Sequence, residues 1–127
     1  MTLRFGLQEA TIEKICAVLA KFPPVEKAVL YGSRAKGNYK NGSDIDLTLC
    51  GGKALTLKIM YQIATELDDL LLPYTLDLSI FEQLTNPDFI EHIQRVGLLF
   101  YQRERPTRLG SNVKLSSIGS QESTLQN

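Results

Sequence analysis

Three aspartates and one Gly-Ser pair are the residues of this 127-residue chain whose types and spacing could do chemistry. Gly32-Ser33-Arg34-Ala35-Lys36-Gly37 is followed, after five residues, by Ser43-Asp44-Ile45-Asp46-Leu47, and Asp77 stands inside a later apolar run. Successive side chains on a strand point to opposite faces, so Asp44 and Asp46 would project together while Ile45, Leu47 and Leu49 turn to the other side. Carboxylates held side by side repel and raise each other's pKa unless a cation or a donor neutralises them. If the strand carrying Asp77 pairs with theirs, Asp77 joins the same face, because Leu76 and Leu78 take the core side. Three hard oxygen ligands suit magnesium or manganese, which keep positions open for water and phosphate oxygens; they do not suit zinc.

Gly32 has no side chain and lets the backbone approach a ligand closely, while Ser33 adds a hydroxyl to the amides exposed where a strand ends. Phosphate is the natural guest of such a turn. Arg34 and Lys36 follow at once, and one or both could neutralise the charge of a triphosphate. Taken singly, a Gly-Ser pair after a strand is an ordinary turn, and an Asp-x-Asp on a strand is usually a solvated face. Their order and separation, with a third aspartate in a later strand, are hard to explain as structure alone.

Hydrophobic spacing outlines the elements that must hold these residues in place. Ile12, Ile15, Cys16 and Leu19 predict a first helix over 8–22, ended by Pro23-Pro24. Lys27 to Tyr31 read as a short strand that runs straight into Gly32-Ser33. A loop of turn formers, 37–43, leads to a second strand over 44–49, and the two strands should pair as a hairpin-like unit. Leu55, Ile59, Ile63, Leu67, Leu70 and Leu71 predict the longest helix over 54–72, before Pro73. Thr75 to Phe81 alternates as a third strand, with Leu76, Leu78 and Ile80 on one face and Asp77 and Ser79 on the other. Asn86-Pro87 reads as an N-cap with proline at the first helical position, opening a short helix, and Leu98 to Tyr101 as a fourth strand.

The size suits one domain, expected over residues 1–105. Beyond Pro106 the composition turns to Ser, Asn, Gln and Gly, with too few apolar residues to offset the entropy of ordering, so 106–127 is expected to be a polar, disordered tail. Lys+Arg and Asp+Glu both number 14, which leaves no bulk basic field for long nucleic acid. No apolar stretch approaches the roughly 20 residues that span a bilayer, and a cytoplasmic location is expected. Cys16 and Cys50 lack a CxxC spacing and sit in apolar patterns, so free, buried thiols are expected.

The Gly-Ser, spacer, Asp-x-Asp order resembles the signature of the minimal nucleotidyltransferases (MNT) of the DNA polymerase β-like superfamily, with the resemblance running from Ala10 to Tyr101. It implies an α/β (α+β) fold, a small mixed β-sheet flanked by helices. The implied reaction is attack of a hydroxyl on the α-phosphate of a nucleoside triphosphate, ATP in the first instance, with release of pyrophosphate. By the same resemblance two magnesium ions would be held by Asp44, Asp46 and Asp77, with Asp77 also able to act as general base. Gly32 and Ser33 would hold the β and γ phosphates. Small MNT proteins resemble the antitoxin half of a pair whose other half is a helical HEPN ribonuclease, and members can transfer AMP to a tyrosine on that toxin. Such a chain would work in a hetero-oligomer. Two alternatives stay open: a binding antitoxin that neutralises a ribonuclease by occlusion without catalysis, and a transferase acting on small-molecule hydroxyls.

Overall fold

Ala28 and Leu30 on one strand, and Ile45, Leu47 and Leu49 on the next, occupy every second position and are completely buried. They form the floor of the core in the computed structural model, which describes residues 3–104. The tail expected over 106–127 lies outside the described residues.

The chain opens with a small hairpin, β1 (Leu3–Arg4) and β2 (Leu7–Gln8), then α1 (Glu9–Ala20), β3 (Val25–Tyr31) and a single helical turn, α2 (Ser33–Lys36). Next come β4 (Ile45–Gly51), α3 (Leu57–Asp68), β5 (Leu76–Ile80), a 3-10 turn at Phe81–Gln83, α4 (Pro87–Val96) and β6 (Leu98–Gln102). The main sheet has the order β5-β4-β3-β6. Strand β3 is antiparallel to both β4 and β6, whereas β4 and β5 are parallel and joined by the α3 crossover. This is the mixed sheet flanked by helices that the resemblance implies, and the first two strands pair as their sequence pattern predicts.

Ile12, Ile15 and Leu19 of α1 and Ile63 and Leu67 of α3 pack with the buried strand residues into one core. The opposite face of the sheet carries α4, whose Phe89 meets the Tyr31 ring edge-on at 5.4 Å. Helix α3 starts at a Thr56 cap, whose hydroxyl accepts from Ile59 N–H. Helix α4 has the expected Asn86 cap, accepting from Asp88 and Phe89 N–H, with Pro87 at its first turn. At the far end, Arg103 folds back to donate to the carbonyls of Leu19, Ala20, Phe22 and Val25, closing the end of α1.

Three boundaries differ from the sequence reading. The β1–β2 hairpin was not expected; it turns through Phe5-Gly6 with both φ positive, 58° and 73°. The segment after Gly32 is a helical turn and not only a loop. Helix α3 spans 57–68 and not 54–72, because Leu71 adopts φ 54° and breaks the helix before the apolar periodicity ends. Cys16 and Cys50 are free, partly and fully buried respectively. Among the described residues no helix is long and apolar enough to cross a membrane.

Candidate active site

Tyr31, Asp46 and Asp77 form one row across three neighbouring strands: Tyr31 lies opposite Asp46 on β3–β4, and Asp46 opposite Asp77 on β4–β5. The parallel pairing of β5 on β4 therefore places Asp77 on the same face as Asp46, and Asp44 sits exposed just before β4 begins. The Asp46 carboxyl is held above its ordinary pKa first by burial, then by the charges of Asp77 and Asp44. The neighbouring carboxylates thus add to what burial does, and a cation among them would relieve that repulsion. The donor set is all carboxylate oxygen, which fits a hard divalent cation. Among the described residues no three Asp, Glu, His or Cys side chains close on one point, so the cluster is an open row, not a finished cage.

Gly32 adjoins this row. It joins β3 to α2 with φ 76°, and a Cβ built on it would collide with Asp46 Oδ2. Only glycine allows both the backbone conformation and that close approach. The first amides of α2, those of Ser33, Arg34 and Ala35, have no acceptor within so short a helix, because its bonds begin with Lys36 N–H to Gly32 O. Gly-Ser and the carboxylates are thus brought together, as the strand reading requires.

Arg34 is placed elsewhere. Sequence reading gave it to phosphate, but it is 3% exposed. Its guanidinium donates through Nε and Nη2 to Ser43 O and through Nη1 to Phe5 O, and it lies between the rings of Tyr39 and Tyr74 at 5.3 and 4.9 Å. Carbonyls and aromatic faces occupy the group that would have met a triphosphate. Its place in the site is indirect: it ties the N-terminal hairpin to the residue preceding Asp44 and to the segment leading into β5. Lys36 is exposed and stays available to solvent-borne anions.

One row further into the sheet lie Thr48 and Ser79, again register partners, with Ser79 Oγ donating to Thr48 Oγ1 at 2.8 Å. Burial pushes the Tyr31 hydroxyl above its ordinary pKa, with Asp77 and Asp46 acting in the same direction and Ser79 opposing them. Tyr31 is therefore a neutral, buried floor beside the carboxylates. Sequence reading put Ser79 on the Asp77 face but gave none of these three residues a role in the site. The period of two that linked Asp46 to Asp77 continues to Thr48 and Ser79, so the signal was present. A cavity of about 520 Å³, lined by Lys27, Cys50, Gly51 and Glu82 among others, lies at the opposite end of β4. It gathers no comparable carboxylate set, so the open row is the candidate site.

The carboxylate row beside the Gly-Ser turn is the candidate site on this mixed sheet. Residues 13–106 match the family model described as polymerase beta, nucleotidyltransferase, and the chain belongs to that family. No curated protein is matched by sequence. Among solved structures, a chain of a toxin-antitoxin complex with AMP-PNP is similar at TM-score 0.60 and 20% identity, covering 73% of this chain and 74% of its own. A chain of the MntA-HepT toxin-antitoxin complex is similar at TM-score 0.57 and 18% identity, covering 76% and 74%. So is a chain of the complex of a tri-AMPylated Shewanella oneidensis HEPN toxin with an MNT antitoxin, at TM-score 0.57 and 18% identity, covering 76% and 74%. At these identities the likeness is one of fold.

Proposed function

We propose that this chain transfers a nucleoside monophosphate, AMP from ATP, to a hydroxyl on a HEPN-type partner protein, and so acts as an antitoxin. The observation that carries the reading is the register of Asp46 with Asp77, with Gly32 against the Asp46 carboxylate. Gly32 beside Asp46 supports reading the Gly32-Ser33 turn as the phosphate site next to the carboxylates. The acceptor oxygen forms a bond to the α-phosphorus, the bond to pyrophosphate breaks, and Asp77 takes the acceptor proton. Gly32 and Ser33 bind the β and γ phosphates through backbone amides and the Ser33 hydroxyl. Asp44, Asp46 and Asp77 would hold magnesium or manganese, which supplies neutralisation of the phosphate charge. Tyr31, Thr48 and Ser79 line the same face of the sheet beside the carboxylates.

The choice of a protein acceptor is supported by the fold shared with chains of HEPN toxin complexes, one with AMP-PNP and one with an AMPylated toxin. The test is co-expression and co-purification with a HEPN-type protein, then incubation with labelled ATP and magnesium. A metal-dependent AMP adduct on the partner, lost in Asp44→Ala/Asp46→Ala, is the expected result. A neutralising complex that never carries an adduct would replace catalysis by occlusion, and adducts on small hydroxyl compounds alone would replace the protein acceptor.

A further inference from the structure

Asp46 and Asp77 are fixed by the strands that carry them, but Asp44 stands before β4 and is exposed. Its charge acts on the Asp46 carboxyl, so it belongs to the same cluster. On one side of it the sheet begins at once, with Ile45 N–H donating to Thr75 O at 2.9 Å. On the other side is the loop 37–43, whose Gly37, Asn38, Asn41 and Gly42 are exposed turn formers. Lys40 N–H donates to Ser43 Oγ at 2.8 Å and Ser43 N–H to Lys40 O at 3.0 Å, a turn closed on itself. What ties this end of the loop to the rest of the chain is Arg34, donating through Nε and Nη2 to Ser43 O at 3.1 and 2.9 Å, one residue before Asp44.

Arg34 is held in turn from the N-terminus. Its Nη1 donates to Phe5 O at 2.9 Å, and the Tyr39 ring lies 5.3 Å from the guanidinium. A guanidinium buried with no carboxylate partner among the described residues keeps its place only where carbonyls and ring faces compensate it. The tip of the hairpin is shaped for this contact: a Cβ on Gly6 would collide with the Tyr39 ring and with Nη1 of Arg34. Behind the tip the hairpin is anchored, with Leu7 completely buried, the Phe5 ring 5.7 Å from that of Phe100, and Arg4 paired with Glu9 at 2.8 Å. A hairpin of two residues per strand has little stability of its own, so these contacts define it.

We propose that the β1–β2 hairpin is a positioning element of the site: its Phe5-Gly6 turn seats Arg34 and Tyr39, and through Ser43 O they set where Asp44 stands beside Asp46. Gly6, Arg34 and Tyr39 are positioning residues, and Asp44 is the ligand they serve. The assignment rests on the metal-binding reading of the carboxylates above. It extends the site to a segment more than twenty positions before Gly32.

Gly6→Ala, Tyr39→Ala and Tyr39→Phe, each shown to be folded by thermal melting, are titrated with manganese in the absence of nucleotide. Transfer of labelled AMP to a HEPN-type protein is followed in parallel at graded magnesium. Manganese affinity should fall about tenfold in Gly6→Ala and Tyr39→Ala, and Tyr39→Phe, which keeps the ring on Arg34, should bind as wild type does. The magnesium needed for half-maximal transfer should rise in step. In an Asp44→Ala background, where the remaining affinity rests on Asp46 and Asp77, Gly6→Ala and Tyr39→Ala should add no further loss. Should Gly6→Ala fail to fold, the two Tyr39 variants carry the same comparison. Wild-type manganese affinity in the folded variants would overturn the positioning role while the function stands, and so would equal losses with and without Asp44. A wild-type chain that binds no manganese, or binds it as well without Asp44, would remove the metal reading of that aspartate and the positioning role with it.

Discussion

Asp46 and Asp77 stand directly opposite each other across the parallel β4–β5 pair, and the outer oxygen of Asp46 rests against the α-carbon of Gly32. Charge repulsion on one side and a backbone without a Cβ on the other hold the same carboxylate.

Gly32→Ala tests the close approach. The methyl group strains a residue at φ 76° and displaces the Asp46 carboxylate. Destabilisation of about 1–2 kcal/mol is expected, together with a loss of transfer of about 100-fold. Urea unfolding and a labelling time course measure the two effects. Wild-type transfer by the variant would mean that Asp46 has room to move without consequence.

Asp46 also sets a pH dependence. Its folded-state pKa lies above the ordinary carboxylate value, so the folded chain holds that proton more tightly than the unfolded one. Stability therefore falls as pH rises from the ordinary value through the raised one, and returns as pH is lowered through the same window. In chelator, wild type should lose melting temperature across this window relative to Asp46→Asn, and the variant should melt higher at neutral pH. Magnesium should narrow that gap. Parallel pH profiles for the two proteins would contradict the repulsion between the aspartates.

Arg34 and Lys36, two positions apart on α2, should behave oppositely. Arg34→Gln deprives the Phe5 and Ser43 carbonyls of their donor and leaves two tyrosines without the cation between them. About 3 kcal/mol of stability should be lost, and Arg34→Lys should recover little, since an ammonium cannot reproduce the planar fork. Lys36→Ala should change stability by no more than about 0.5 kcal/mol and raise the KM for ATP mainly at low salt. Chemical denaturation and ATP titrations separate the two residues.

Ser79→Ala should cost about 1 kcal/mol, because it leaves the fully buried Thr48 hydroxyl without its partner. Thr48→Val/Ser79→Ala removes both groups and should recover part of that loss. A double-mutant cycle on melting free energies checks the coupling; strict additivity would show that the bond contributes nothing.

The parts of the site that lie on strands were readable, because a period of two puts Asp46 and Asp77 on one face as soon as Leu76 and Leu78 are assigned to the core. The same reasoning, carried two residues further, reaches Thr48 and Ser79. Arg34 was not readable in this way. Its partners are a carbonyl of the Phe5 turn, the carbonyl of Ser43 and the rings of Tyr39 and Tyr74, relations made by tertiary folding between segments up to forty positions apart. The β1–β2 hairpin has only two residues per strand, too few for a periodic signal. The end of α3 was misplaced because Leu70 and Leu71 continue the apolar spacing beyond the point where the backbone leaves the helix.

The latch of Arg103 onto the end of α1 bears on how the chain matures during synthesis. Strand β4 and β5, with the carboxylates, have left the ribosome once residue 80 is clear, yet β3 lacks its second neighbour and α1 its cap until β6 and Arg103 follow. A nascent chain therefore carries every aspartate of the site before it can close its own sheet. The edge left open until β6 pairs is that of β3, on the side of the sheet away from Asp46 and Asp77, so the carboxylates stand in register before the sheet is complete.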